Sequence, residues 1–236
     1  MPVWPSEFVP RSNQLAAQPN NQPNNQSNNP PAPALCVIDE VLDPGTCRNL
    51  IKQADGDRWL TTTAELLRAA NGPHALPPRR ANDTDRPCRL VGADRERPRF
   101  AVLDLPVLAL RLYHRLLSQL PTSREGAALT GLKPLLRCIE YRKGEGTRAH
   151  TDPPRETLDG QLSQLSVLVF LNDHFTGGSV EFPQLGRTVQ ARTGRVCVFP
   201  HSLTHVDHVV LRGRKFVLET EVFYSADWQP YRAEPL

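Results

Sequence analysis

Residues 195–224 read RVCVFPHSLTHVDHVVLRGRKFVLETEVFY. Three short apolar, β-branched runs, Arg195 to Phe199, His205 to Val210 and Lys215 to Tyr224, follow one another at intervals of about ten residues with turn residues between them, the pattern of strands in a sandwich or barrel. Upstream, Ser179 to Phe182, Leu165 to Leu171 and Leu135 to Tyr141 repeat the pattern, and it begins only after Pro121. Before Pro121 the period changes. Leu105, Leu108, Leu112, Leu116 and Leu120 recur at helical spacing, with Pro106 in the first turn, and predict a helix over Asp104 to Leu120. Asp43-Pro44 places a capping carboxylate before a proline at the first helical position, predicting a second helix to about Asp55, with a short strand at Leu35 to Asp39 ahead of it.

Two stretches lack periodicity. Residues 71–99 hold several Pro and Arg and are expected to be a long surface loop. Residues 13–34, nearly all Asn, Gln, Pro and Ala, carry too little apolar surface to offset the entropy of ordering, so roughly the first 34 residues are expected to be a disordered tail. The expectation is therefore a tail over 1–34 and one α+β domain over 35–236. Its double-stranded β-helix, or jelly roll, spans about 130–225 and packs on the N-terminal helices.

Composition narrows the function. With 236 residues and a net charge of +3, acids and bases interspersed, the chain lacks the basic excess of a phosphate-binding protein, and nucleic acid is unsupported. No run approaches eighteen apolar residues and Met1 to Glu7 is neither basic nor followed by an apolar segment, so neither a membrane span nor a signal peptide is expected. Five scattered cysteines without a C-x-x-C pair suggest neither a disulfide framework nor a zinc knuckle. A reducing compartment, cytoplasmic or nuclear, is the expectation.

The chemistry points to His150-Thr151-Asp152. An imidazole and a carboxylate two residues apart reach one metal when the backbone is extended or turning, and a distant histidine completes the facial triad of non-haem iron centres. The motif alone is weak, since chance gives roughly 0.4 matches in a chain of this composition. The sequence holds a second, His205-Val206-Asp207. For the distant histidine the chain offers His201, His205 and His208; ten residues beyond them lie Leu211, Lys215 and Leu218, so only His205 is followed at that distance by a cation able to hold a remote carboxylate.

Taken together, several stretches carry a resemblance. They are Leu135-Leu136-Arg137 through Tyr141-Arg142-Lys143-Gly144 to His150-Thr151-Asp152, then Val169 to Asp173 with Phe175-Thr176-Gly177-Gly178-Ser179, then Gly194 to Phe199, His205, Gly213 and Lys215, preceded by Val37 to Cys47. In this order the chain resembles the Fe(II)/2-oxoglutarate-dependent dioxygenases, prolyl 4-hydroxylase-like group, over about residues 35–225. The resemblance implies that His150, Asp152 and His205 bind Fe(II) and that Lys215 pairs with the remote carboxylate of 2-oxoglutarate. It also implies that the cosubstrate and O2 are converted to succinate and CO2 as a peptide, protein side chain or amino-acid-like small molecule is oxidised. Ascorbate is a candidate accessory cofactor. Three positions depart from the group's pattern: Thr147 where many members carry tyrosine, and Glu219 and Glu221 where arginine and aspartate are frequent. Tyr141 or Thr147 is expected to offer the cosubstrate a hydroxyl. Strand alternation puts Lys215, Val217, Glu219 and Glu221 on one face, which would set Glu219 near the pocket wall, paired with Arg137 or facing a basic substrate.

Plainer readings stand beside these. His208 competes with His205, Arg212 or Arg214 could take the anion in place of Lys215, and Gly177-Gly178 is read as a tight turn at positive φ. Loops at 77–99 and 153–163 could close over a substrate. Two other functions remain: a metal-dependent oxygenase that uses no oxo acid, and a non-catalytic jelly-roll binding module.

Overall fold

The structure, a computed structural model, describes residues 34–56, 59, 98–157 and 160–226. The expected tail up to residue 33 and the loop over residues 71–97 lie outside the described residues. Strand β1 (Cys36–Ile38) leads to helix α1 (Pro44–Gly56). The predicted cap is present: the Thr46 amide and hydroxyl donate to the Asp43 carboxylate at 2.9 and 2.6 Å. Cys47, Leu50 and Ala54 form the buried face of α1. Strand β2 (Arg99–Asp104) precedes helix α2 (Pro106–Leu116), which ends in a 3-10 turn, Leu117–Gln119. Asp104, expected to open the helix, instead ends this strand.

The remaining strands are β3 (Ser123–Arg124), β4 (Ala127–Leu132), β5 (Leu135–Arg142), β6 (Leu162–Phe170), β7 (Thr176–Gly177), β8 (Val180–Phe182), β9 (Arg187–Val189), β10 (Val196–Pro200), β11 (Val206–Asp207), β12 (Val210–Arg212) and β13 (Arg214–Ser225). The single strand expected over His205 to Val210 is two pieces, because the chain there changes partner: β11 pairs with β8, whereas β12 pairs with β7 through an irregular register.

One large antiparallel sheet runs β1-β10-β6-β13. The far edge of β13 is shared. Its first half, Arg214 to Glu219, pairs with β5, which pairs in turn with β2; its second half, Val222 to Ser225, pairs with β4. A smaller sheet, β11-β8-β9, and the β7-β12 ribbon face it, which makes the expected jelly roll.

Alternation along the strands sends side chains to two cores. Leu136, Cys138, Val167, Val169 and Leu218 pack outward against Leu50 of α1 and against Leu112 and Leu116 of α2. Ile139, Phe170, Phe199 and Val217 pack inward against Val180 and Phe182 of the smaller sheet. Each such side chain, fully buried, contributes roughly 1.5–3 kcal/mol by leaving water. Among the described residues no helix is long and apolar enough to cross a membrane.

Candidate metal centre

The segments 144–152 and 201–210 run antiparallel. Gly144 N–H donates to Val210 O at 2.8 Å, Thr147 N–H to Asp207 O at 2.8 Å and Asp152 N–H to His201 O at 3.0 Å. At the middle, His150 and His205 exchange both backbone hydrogen bonds, 3.1 and 2.9 Å. Directly opposed residues in such a ladder point their side chains to the same face, and a residue two positions along joins them. That is the physical content of the H-x-D spacing here. His150, Asp152 and His205 each offer a ligand atom, all within 4.8 Å of one another. The imidazole rings stand 4.1 Å apart; His150 Nε2 lies 3.9 Å from one Asp152 oxygen and His205 Nε2 4.0 Å from the other.

The tautomers are fixed by the backbone. His150 Nδ1 lies 2.9 Å from Arg148 O and His205 Nδ1 3.2 Å from Leu203 O. A carbonyl only accepts, so both Nδ1 atoms carry the hydrogen and both Nε2 atoms are left with lone pairs toward the centre. His205 is held edge-on by Phe199 at 4.8 Å and beside Phe182 at 6.1 Å. The side chains of His150 and Asp152 are 24% and 31% exposed against 7% for His205, so the centre opens on the side of the first two.

Asp152 is also oriented from below. Ser166 Oγ lies in hydrogen-bond contact with its carboxylate and 2.8 Å from His201 Nδ1, while His201 Nε2 lies 3.0 Å from Ser163 Oγ. Because a carboxylate accepts, Ser166 donates to it and must itself accept from His201 Nδ1–H. His201 Nε2 then accepts from the Ser163 hydroxyl, which accepts the Arg155 N–H at 2.8 Å. This one-way chain needs a neutral imidazole, and burial pushes the His201 pKa below its usual value. With both nitrogens engaged, His201 is not a ligand. His208 is occupied as well, by Glu181 at 2.8 Å. Of the three C-terminal histidines, only His205 joins the cluster.

Lys215 is wholly buried inside the jelly roll. Arg214, an alternative anchor, points to the other face of the sheet toward Glu140, and Arg212 is exposed. The residue missed in the sequence is the partner of Lys215: its Nζ sits 2.5 Å from Asp207 Oδ1. Tyr141 and Thr147 converge on the same residue, the phenol hydroxyl 3.5 Å from Asp207 Oδ2 and the threonine hydroxyl accepting the Asp207 N–H at 2.9 Å. Burial opposes ionisation of Asp207, but the Lys215 ammonium outweighs it and holds the carboxyl below the ordinary carboxylate range. The signal was the second H-x-D match, whose carboxylate pairs with the lysine and not with the two histidines.

Toward the opening, Arg137 and Glu219 form the expected pair, Nε to Oε2 at 3.0 Å, which raises the guanidinium pKa further. Arg155 and Glu221 make another at 2.9 Å. The alternation of Lys215, Val217, Glu219 and Glu221 is as the sequence predicts.

No family model and no curated protein sequence matches the chain. Solved structures do. The viral collagen prolyl hydroxylase of Paramecium Bursaria Chlorella virus-1, in its 2OG complex, aligns with a TM-score of 0.53 at 14% identity, over 80% of this chain and 96% of that one. A prolyl hydroxylase from Trichoplax adhaerens, solved with a peptide fragment of the hypoxia inducible factor oxygen degradation domain, aligns with a TM-score of 0.51 at 16% identity, over 80% of this chain and 83% of that one. The fold is therefore that of the prolyl hydroxylases. Within it, His150, Asp152 and His205 are a donor set that could hold a metal ion.

Proposed function

We propose that the protein is an Fe(II)- and 2-oxoglutarate-dependent dioxygenase of the prolyl 4-hydroxylase-like kind. The observation that carries this reading is the convergence of two imidazole Nε2 atoms and one carboxylate within 4.8 Å, on a fold shared with prolyl hydroxylases. Two neutral nitrogens and one carboxylate on one face, with other positions left open, is the donor chemistry that suits non-haem iron(II). When bound, iron(II) and 2-oxoglutarate would supply the oxidative decarboxylation that yields succinate and CO2 and delivers the second oxygen atom to the substrate.

The chain's own residues orient and exclude. His150, Asp152 and His205 would hold the metal, with the Arg148 and Leu203 carbonyls fixing the two rings and Ser166 fixing the carboxylate. Lys215 would hold the remote carboxylate, with the Tyr141 or Thr147 hydroxyl beside it. Phe182 and Phe199 keep water from the His205 side. The substrate would approach over His150 and Asp152, past the Arg137–Glu219 pair; a peptide, a protein side chain or an amino-acid-like small molecule suits a mouth carrying both charges. The free thiols of Cys36, Cys47, Cys138 and Cys197 support a reducing setting, cytoplasmic or nuclear.

Anaerobic titration of the protein with Fe(II) and then 2-oxoglutarate tests the reading. A visible charge-transfer band is expected on chelation, lost in His150→Ala and His205→Ala and reached only at much higher oxo-acid concentration in Lys215→Ala. One observation favours a metal oxygenase that uses no oxo acid, the carboxylate already on Lys215. Metal binding without the band would select that alternative.

A further inference from the structure

Lys215 has no exposed surface and Asp207 is 5% exposed, so their ion pair is closed off from water. Around the ammonium stand the rings of Tyr141 at 5.0 Å and Phe170 at 5.6 Å. Gly178 completes the enclosure: a Cβ there would lie 3.2 Å from Lys215 Cδ. In so apolar a surround one ammonium neutralises one carboxylate, and a second carboxylate brought alongside would be left uncompensated. Among the described residues, the neighbouring cations are committed elsewhere: Arg137 to Glu219, Arg155 to Glu221, and Arg214 to Glu140 on the opposite face of the sheet.

Nor can Asp207 withdraw as a whole. Its N–H donates to the Thr147 hydroxyl, its carbonyl accepts the Thr147 N–H, and it pairs with Val180 across β8. Only rotation about its side-chain bonds is left, and the carboxylate then stays within the same enclosure.

Resting on the reading of the site as 2-oxoglutarate-dependent, we infer that Asp207 is a built-in competitor for the cosubstrate. Its carboxylate occupies the anion position on Lys215 that the remote carboxylate of 2-oxoglutarate needs, so the cosubstrate binds by exchange and fills the site only where its concentration is high. Asp207 thereby sets the threshold. It penalises a dianionic 2-oxo acid, whose far carboxylate must contest Lys215, and leaves a short monoanionic 2-oxo acid, which reaches only the metal, unaffected.

The test is calorimetric titration of Mn(II)-loaded wild type, Asp207→Asn and Asp207→Ala with 2-oxoglutarate and, separately, with 2-oxobutyrate. Mn(II) removes turnover from the readout. The expected result is that 2-oxoglutarate binds tenfold or more tightly to Asp207→Asn than to wild type, while 2-oxobutyrate changes by less than threefold. An unpaired buried lysine weakens the fold, so thermal melting of the same samples is the second readout: 2-oxoglutarate should raise the Tm of Asp207→Asn by more than that of wild type, because it supplies the missing countercharge. If both variants bind 2-oxoglutarate within twofold of wild type, or more weakly, and no larger Tm rise occurs, the competitor role is overturned and the oxygenase reading survives. If neither oxo acid binds any of the Mn(II)-loaded proteins, the cosubstrate reading is overturned and this inference falls with it.

Discussion

Ser166 lies under Asp152 and carries no charge, yet the direction of its hydrogen bond decides how the carboxylate is presented. Its hydroxyl donates upward to the carboxylate and accepts from His201 Nδ1–H, and burial favours the neutral imidazole, whose Nε2 accepts from Ser163. Partners of this kind around a metal ligand typically account for ten- to a hundredfold in affinity. Ser166→Ala is therefore expected to weaken Fe(II) or Mn(II) binding by about tenfold in a chelator competition, with little loss of thermal stability. At this scale the sequence was half legible. The spacing of His150, Asp152 and His205 was readable because a two-residue offset on a strand states that two side chains share a face. It does not state what faces them, which is why the same offset between His205 and Asp207 was visible as a motif while the pairing of Asp207 with Lys215 was not. The contact between Ser166 and His201 carried no signal, since it arises only where β6 lies beside β10 and the residue that follows it.

Between the two metal-ligand segments the spacing is set by a residue without a side chain. A Cβ on Gly146 would sit 2.6 Å from the Asp207 carbonyl oxygen and 3.0 Å from the Val209 nitrogen, backbone atoms that cannot swing aside. Gly146→Ala is expected to push residues 144–152 away from β11, separating His150 from His205. The observable is metal affinity reduced more than tenfold, with far-ultraviolet dichroism unchanged. Elements bounded by strong turn chemistry were the legible ones, α1 by Asp43-Pro44 and β10 by Gly194 at its start. Strand β2 was missed because Arg99–Asp104 abuts Leu105-Pro106, and the helix-start signal claimed its last residue. Its alternation is plain once β5 supplies a partner. Likewise the break between β11 and β12 follows from which strands lie opposite, β8 for one and β7 for the other.

Across the whole molecule the large sheet separates two cores, and one ionised group crosses the boundary between its strands. Glu140 of β5 has no exposed surface and contacts Arg99 of β2, Arg142 of its own strand and Arg214 of β13. Burial opposes its ionisation, but the guanidinium groups prevail and its pKa lies below the usual 4.5. Above that value the carboxylate is charged whether the chain is folded or not, and its pairing stabilises the fold in full. As the pH falls through the lower folded value the advantage disappears. Glu140→Gln should therefore cost about 3 kcal/mol at pH 7 in urea denaturation, and the gap to wild type should narrow below pH 4.5. The overall architecture was the most legible scale of all, since helices followed by short strands at ten-residue intervals admit few packings.

Strand β13 has one further consequence. It is hydrogen-bonded along both edges, by β6 on one side and by β5 then β4 on the other, whereas β8, β9, β11 and β12 are two or three residues long. The two walls around Lys215 should thus differ in how often they breathe. In amide hydrogen exchange the amides of β13 are expected to be among the last to take up deuterium, at the rate of global unfolding, and those of β11 and β12 to exchange far earlier through local opening. Lys215 therefore stands on the wall expected to open last and faces the one expected to open first.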